Sequence, residues 1–246
     1  LFKQGRMHPE ISSFSNEIFY EKKLKPIPLK QQLEILHCPS YDKSDGLQNL
    51  IASHRLAFIV SKGDKNPISD KTNKDEAIRI SALLKTIYTI NKNNFNPQTV
   101  GVIVPYRNQI ALIRKEIKQL NIPALSDITI DTVERYQGSE RDFIIYGFTV
   151  QKIYQLEFLT GNVFKDNGQT IDTKLNVVLT RARKQLFLIG NPQILSYNII
   201  FQKLIKFIDN RQGVCDIPIE YFIQGKFSCS PTDKTSVPDS RQKLNV

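Results

Sequence analysis

The sequence predicts an α/β domain: a mostly parallel, doubly wound sheet with helices on both faces. Four short runs rich in β-formers, RLAFIV (55–60), TVGVIV (99–104), RDFIIYGF (141–148) and QLFLIG (185–190), are apolar after their opening one or two residues. They lack the in-out alternation of a half-solvated strand, as expected for strands covered on both faces. Helical periodicity fills the stretches between them, which is the order that builds a parallel sheet. The chain has 246 residues, 40% of them hydrophobic, enough to bury a core.

Taken in order, the stretch from Cys38 to Asn49 is polar and turn-rich and is expected to be a loop, as is Gly63 to Asn73. Asn73 and Glu76 have capping-box spacing, and the helix they open buries Ala77, Ile80, Leu83, Leu84, Ile87 and Ile90. The helix after Pro105 turns Ile110, Ile113, Ile117 and Leu120 inward, leaving Arg107, Arg114, Lys115 and Lys118 to solvent or to phosphates. Tyr136 and Phe143 are assigned to the core. A further helix follows Asn191 and runs through Ile199, Ile200, Leu204, Ile205 and Ile208. From Ser228 the chain is Ser, Thr, Pro and charge with almost nothing to bury, so 1–227 is expected to be the folded domain and 228–246 a disordered tail. No internal repeat is seen. In a sheet of this kind, ligands are expected at the carboxyl ends of the strands.

The 34 Lys and Arg against 24 Asp and Glu give a formal charge of +10. That balance suits a polyanionic partner, although solvated lysine faces also produce it. Cys38, Cys215 and Cys229 are too few and too far apart for a zinc cluster or a disulfide framework. No apolar run approaches the roughly 18 residues of a membrane span, and no secretory signal opens the chain. A soluble, intracellular protein, cytoplasmic or in the nucleoid or nucleus, is expected. The chain begins at Leu1 and falls directly into a dense motif, so a start that is not the natural one is also expected.

Four segments make the basic α/β domain specific: QGRMHPEISSFSNEIFYEKKL (4–24), VGVIVPYRNQ (100–109), ITIDTVERYQGSERDFII (128–145) and KLNVVLTRARKQLFLIGNP (174–192). In order and spacing they resemble the later motifs of superfamily 1 helicases, in the 5′-to-3′ branch of the nonsense-mediated decay helicase and the replication helicase-nucleases. The resemblance runs from residue 4 to about 210. It implies a C-terminal, RecA-like motor domain of a P-loop NTPase type that works with an upstream RecA-like domain of the same chain. ATP and Mg²⁺ would be held mainly by that upstream domain, and single-stranded DNA or RNA would be the track, with DNA preferred. The fragment is expected to be monomeric.

Phosphoryl transfer leaves protein little covalent work, so positive charge placed against the γ-phosphate carries much of the catalysis. A planar, permanently charged guanidinium suits that task. By resemblance, Arg181 of LTRAR is the arginine finger, Arg6 of GRMHP a second phosphate-contacting arginine, and Glu140 of YQGSERD the glutamate near the ribose and γ-phosphate. Gly138 lets the loop approach closely. Arg183 either contacts nucleotide or holds its motif through a salt bridge. Read singly, Arg181 would be a surface helix residue and Glu140 with Arg141 a solvated pair.

Strand contacts are assigned to Pro105, Tyr106, Arg107, Thr132, Val133 and Gln137 at the other edge of the domain, where backbone amides, hydroxyls and a helix start suit phosphates. Tyr106 either stacks on a base or plugs the strand-to-helix corner. His8 is taken as part of a turn before Pro9, with no second ligand at metal-like spacing and no metal site expected. No nucleophile motif and no nuclease signature are present.

The sequence departs from the family in three places. The phosphate loop GxxxxGK[ST] is absent from it, so the segment alone is not expected to hydrolyse ATP. Gly5 stands where relatives often carry a base-stacking tyrosine. The loop GNVFKDNGQTIDTK before LTRAR differs from the shorter basic lead-in of relatives. The competing reading is a nucleic-acid-binding module that kept the fold and lost turnover. A third is a helicase-nuclease fusion whose nuclease lies outside this segment.

Overall fold

Each apolar run becomes a strand because its neighbours in space cover both faces. The computed structural model describes residues 3–36, 41–64, 66–161, 163–166 and 169–224. The first half contains β1 (Lys3–Gln4), α1 (Pro9–Ile18), β2 (Lys25–Pro26), α2 (Lys30–Leu33), α3 (Gly46–Ser53), β3 (Leu56–Val60), α4 (Lys74–Ile90), β4 (Val100–Val104) and α5 (Arg107–Gln119). The second contains β5 (Thr129–Thr132), β6 (Arg141–Gly147), α6 (Leu156–Thr160), β7 (Val163–Asp166), β8 (Gln169–Asp172), α7 (Thr173–Leu179), β9 (Ala182–Gly190), α8 (Pro192–Leu195), α9 (Ile199–Asp209), β10 (Val214–Cys215) and α10 (Ile219–Gln224).

The main sheet has the order β10-β3-β9-β6-β4-β5, and every pairing in it is parallel. Successive side chains of a strand leave opposite faces, and both faces are packed. Phe58, Ile144, Tyr146, Leu186 and Leu188 meet Ile11 and Phe14 of α1, Val178 of α7 and Leu204 of α9. Ala57, Ile59, Val102, Ile145, Phe187 and Ile189 meet Leu50 of α3, Ile80 and Leu84 of α4, and Ile113 of α5. This is the mostly parallel α/β RecA-like architecture, with helices on both faces.

Several expectations are corrected. The polar stretch ending at Asn49 is helical from Gly46, because the Asp45 carboxylate accepts from the amides of Leu47 and Gln48 at 2.9 and 3.0 Å while Leu47, Leu50 and Ile51 turn inward. The segment before LTRAR is not a plain loop but contains an antiparallel hairpin, β7 with β8, registering Val163 on Asp172. Only half of the capping box forms. Asn73 Oδ1 accepts from Glu76 N at 3.1 Å, but Asn73 N donates to Gln109 Oε1 at 2.8 Å, and Glu76 Oε2 accepts from Thr149 N at 2.8 Å. Gln109 Nε2 also donates to Asn73 O at 2.9 Å, clamping the start of α4 to α5. Arg114 is not free for phosphates, since its guanidinium donates to the carbonyls of Ser126 and Ile128, both at 2.8 Å, and braces the chain leading into β5. The proposed tail, 228–246, lies outside the described residues.

Candidate functional site

Arg6 lies in the turn between β1 and α1, and that turn is held from several sides. Gln4 Nε2 donates to Met7 O and Met7 N donates back to Gln4 Oε1, both at 3.0 Å, while Gln32 Nε2 donates to the carbonyls of Gln4 and Met7. His8 caps α1 by accepting from Glu10 N at 3.3 Å, with Pro9 at the first helical position. Burial and the nearby Arg55 charge lower the pKa of its imidazole, so it acts here as a neutral helix cap. His8 N donates to Arg183 O at 2.9 Å, which fastens the Arg6 turn to β9.

Glu140 immediately precedes β6 and Arg181 immediately precedes β9, and Arg141 N donates to Arg181 O at 3.1 Å between them. The cluster is therefore at the amino ends of these parallel strands, not at the carboxyl ends where ligands were expected. The motif residues sit in the turns that enter the strands, and those turns meet the Arg6 loop there.

The Glu140 carboxylate joins two arginines. Its Oε2 is 2.5 Å from Arg6 Nε and its Oε1 is 3.4 Å from Arg183 Nη1. Arg183 Nε also donates to Asp142 Oδ1 at 2.7 Å, so the salt bridge foreseen as one of its two roles is formed. Arg6 Nη1 donates to Thr180 O at 3.3 Å. The side chains of Arg6, Glu140 and Arg183 are 37%, 38% and 31% exposed, which leaves their charges open to a ligand.

Arg181 differs. It is only 9% exposed, and its guanidinium donates to Val177 O at 3.1 Å, Ser139 O at 3.3 Å and Thr180 Oγ1 at 3.0 Å. Burial, and then the neighbouring Arg6 charge, lower its pKa, opposed by Glu140. Arg181 thus lies beside the cluster but turned onto the backbone. Gly138 takes φ +89° with open space around its α-carbon, so the left-handed turn, and not a close approach, is what requires glycine there.

The cluster stands between two open cavities. One, of about 570 Å³, is bounded by Arg6, Glu140 and Thr180 on its polar side and by Met7, Tyr20 and Leu24 on its apolar side. The other, of about 610 Å³, is lined by Arg55, Asp142, Arg183, Lys184 and the asparagine-rich 91–96 turn. At Gly5 a β-carbon would meet Leu29 Cδ1 at 2.9 Å, so Leu29, with Ile27 behind it, closes over the position where a tyrosine would stand.

Five of the six candidate strand-binding residues lie at the opposite, carboxyl end of the sheet, after β4 and β5. Pro105 is buried, Arg107 is exposed, and Gln137 is exposed in the turn that crosses back towards β6. The side chains of Thr132 and Val133 are buried, Val133 in the core, and the Thr132 backbone is engaged too, its N donating to Asp131 Oδ1 at 2.8 Å and its O accepting from Tyr136 N at 2.9 Å. Tyr106, at the strand-to-helix corner, is half-buried. Its ring stacks on Phe158 of α6 at 4.9 Å between centroids, a residue that no sequence motif marks.

The donor set suits an anion. Two partly exposed guanidinium groups held by one carboxylate can exchange that carboxylate for phosphate oxygens. It does not suit Mg²⁺, because Glu140 and Asp142 are already engaged by arginines. Among the described residues no helix is long and apolar enough to cross a membrane.

Comparison with known proteins adds the family context. A family model described as AAA domain matches residues 1–193. An uncharacterized ATP-dependent helicase of Methanocaldococcus jannaschii is 28% identical over 209 residues, covering 82% of this chain and 28% of the relative. The regulator of nonsense transcripts 1 homolog of Drosophila melanogaster is 25% identical over 216 residues, covering 85% and 16%. The DNA replication ATP-dependent helicase/nuclease of Homo sapiens is 24% identical over 231 residues, covering 87% and 21%. The chain thus spans less than a third of the length of the curated relatives it matches.

Proposed function

This chain belongs to the AAA domain family, as a superfamily 1 helicase motor domain of the nonsense-mediated decay and replication helicase-nuclease type, and on that footing we propose that it is the second of two RecA-like domains in an ATP-dependent nucleic-acid translocase. The observation that carries the proposal is the joining of Arg6, Glu140 and Arg183 at the amino ends of β6 and β9, with Arg181 beside them. Residues far apart in the chain meet there around exchangeable, partly exposed charge.

In this reading ATP and Mg²⁺ bind mainly on an upstream domain of the full-length protein, and this chain closes over the triphosphate. Mg²⁺ supplies charge neutralisation on the phosphates when bound. Arg6 and Arg183 exchange Glu140 for phosphate oxygens, and Glu140 holds the two guanidinium groups together and oriented until then. Arg181 is the arginine finger, which must leave Ser139 O and Thr180 Oγ1 to reach the γ-phosphate. Opening and closing of the cleft then moves the domain along single-stranded DNA or RNA held at the carboxyl ends of β4 and β5.

One observation keeps a second reading in view. The three oxygens that occupy the Arg181 guanidinium equally suit a nucleic-acid-binding module that keeps the fold without turnover. The ATPase rate of the full-length protein with single-stranded DNA or RNA decides between them. Turnover that falls roughly 10³-fold in Arg181→Ala is the expected result for an arginine finger. Equal rates remove Arg181 from the mechanism, and a wild type without turnover favours the binding module. The 246-residue chain alone is expected to bind single strands weakly, in a salt-sensitive way, and to hydrolyse nothing.

A further inference from the structure

Phe158 is a large aromatic residue left 46% exposed on α6, and Ile153 and Tyr154 just before that helix are also exposed. What surrounds the ring points to a contact. Tyr106 stacks against it at 4.9 Å and 22° between planes, which fixes the ring's tilt. Lys174 Nζ lies 4.2 Å from its centroid, donates to Phe158 O at 3.1 Å, and pairs with Glu134 Oε1 at 3.3 Å. The ring therefore touches Tyr106, beside Arg107, on one side. Through Lys174 it reaches Glu134, two residues beyond Thr132, on the other. It bridges the two candidate strand-contact segments, which are far apart in sequence. Arg107 is exposed and makes no ion pair or side-chain hydrogen bond among the described residues.

A single strand offers bases with apolar π faces at one phosphate's spacing from negative charge, and a ring flanked by cations matches both properties. We propose that Phe158 is a base-contacting residue for single-stranded nucleic acid, with Tyr106 buttressing it and Arg107 and Lys174 taking the flanking phosphates. On strand binding the Lys174 ammonium passes from the ring to a phosphate, and the base takes its place. The inference rests on the motor reading above and adds a residue that none of the helicase-like motifs contains.

The test uses the 246-residue chain with two labelled probes, a twelve-nucleotide oligodeoxythymidylate and an abasic oligomer of equal length. Phe158→Ala is expected to weaken thymidylate binding roughly 10-fold, the scale of one lost base stack, and to leave abasic binding unchanged. Because the chain contains no tryptophan, Phe158→Trp supplies a lone tryptophan, excited selectively at wavelengths the tyrosines do not absorb. Its emission is expected to be quenched by thymidylate and not by the abasic strand. Unchanged thymidylate affinity in Phe158→Ala, or equal losses for both probes, overturns the proposal. If Phe158→Ala does not fold, an unquenched Phe158→Trp overturns it. Wild-type binding that is equal for the two probes removes the base contact while the motor reading stands. Wild-type binding to neither probe sinks both.

Discussion

Arg6 Nε and Glu140 Oε2 stand 2.5 Å apart although 134 positions separate them in the chain. Each side chain is more than a third exposed, so water screens the pair and it contributes little to folding. In a double-mutant cycle of Arg6→Met and Glu140→Gln followed by urea denaturation, a coupling below about 1 kcal/mol is expected. A coupling of several times that size would mean that the pair is a structural clasp and not a charge kept available for a ligand.

Gly101 in β4 accommodates Tyr136. A β-carbon at position 101 would come within 1.7 Å of the phenol oxygen and 2.8 Å of Cζ. Gly101→Ala is therefore expected to cost about 1–3 kcal/mol or more through overpacking. The Tyr136 hydroxyl is buried with no hydrogen-bond partner among the described residues, and burial pushes its pKa to about 12. Tyr136→Phe is expected to be neutral, or stabilising by about 1 kcal/mol, because it removes an uncompensated desolvation penalty. In the double variant Tyr136→Phe should recover part of the alanine's cost. Thermal melts of the three variants check this, and a large loss in Tyr136→Phe alone would show that the hydroxyl has a partner in solution.

Glu76 is fully buried against the amide of Thr149, and burial raises its pKa well above the usual carboxylate range, with Asp75 adding to the shift. A raised native pKa means that the folded chain binds more protons than the unfolded one above about pH 4.5, so stability falls as pH rises from there towards the folded pKa. Glu76→Gln, which cannot ionise, removes that decline. The stability of Glu76→Gln relative to wild type is expected to grow steadily with pH above about 4.5 in denaturant titrations. A pH-independent difference would refute the assignment.

The strands covered on both faces were legible because burial on two sides leaves an unbroken apolar run, as in LAFIV and VGVIV, too short for a helix and bounded by polar turns. The hidden elements were short or polar at the surface. β5 is only Thr129–Thr132 at the sheet edge, with alternating burial, and β10 has two residues. The β7–β8 hairpin did carry a signal, the Asn167-Gly168 pair between two β-rich stretches. The helix at Gly46 had one too, in Asp45 ahead of Leu47, Leu50 and Ile51.

At the candidate site, residue identity was readable and placement was not. Motif spacing nominated Arg6, Glu140, Arg181 and Arg183, but only packing determines that Arg181 turns onto Val177 O while Arg6 and Arg183 share Glu140. The departure of Glu76 from its capping role follows from Gln109, 36 residues from Asn73, which takes the Asn73 amide in its place. Phe158 lies in a segment with no motif, and its pairing with Tyr106 exists only in three dimensions.

The arginine cluster and the Pro105–Arg107 corner occupy the two ends of one slab of strands, separated by roughly 20 Å, the length of β6 at about 3.3 Å per residue. Residues along β3 and β4 are buried throughout, and close-packed interiors are barely compressible. A push delivered at one end therefore has no slack to vanish into. In the proposed motor it would arrive at the other as tilt of the whole plank, the action of a rigid crank rather than of a spring.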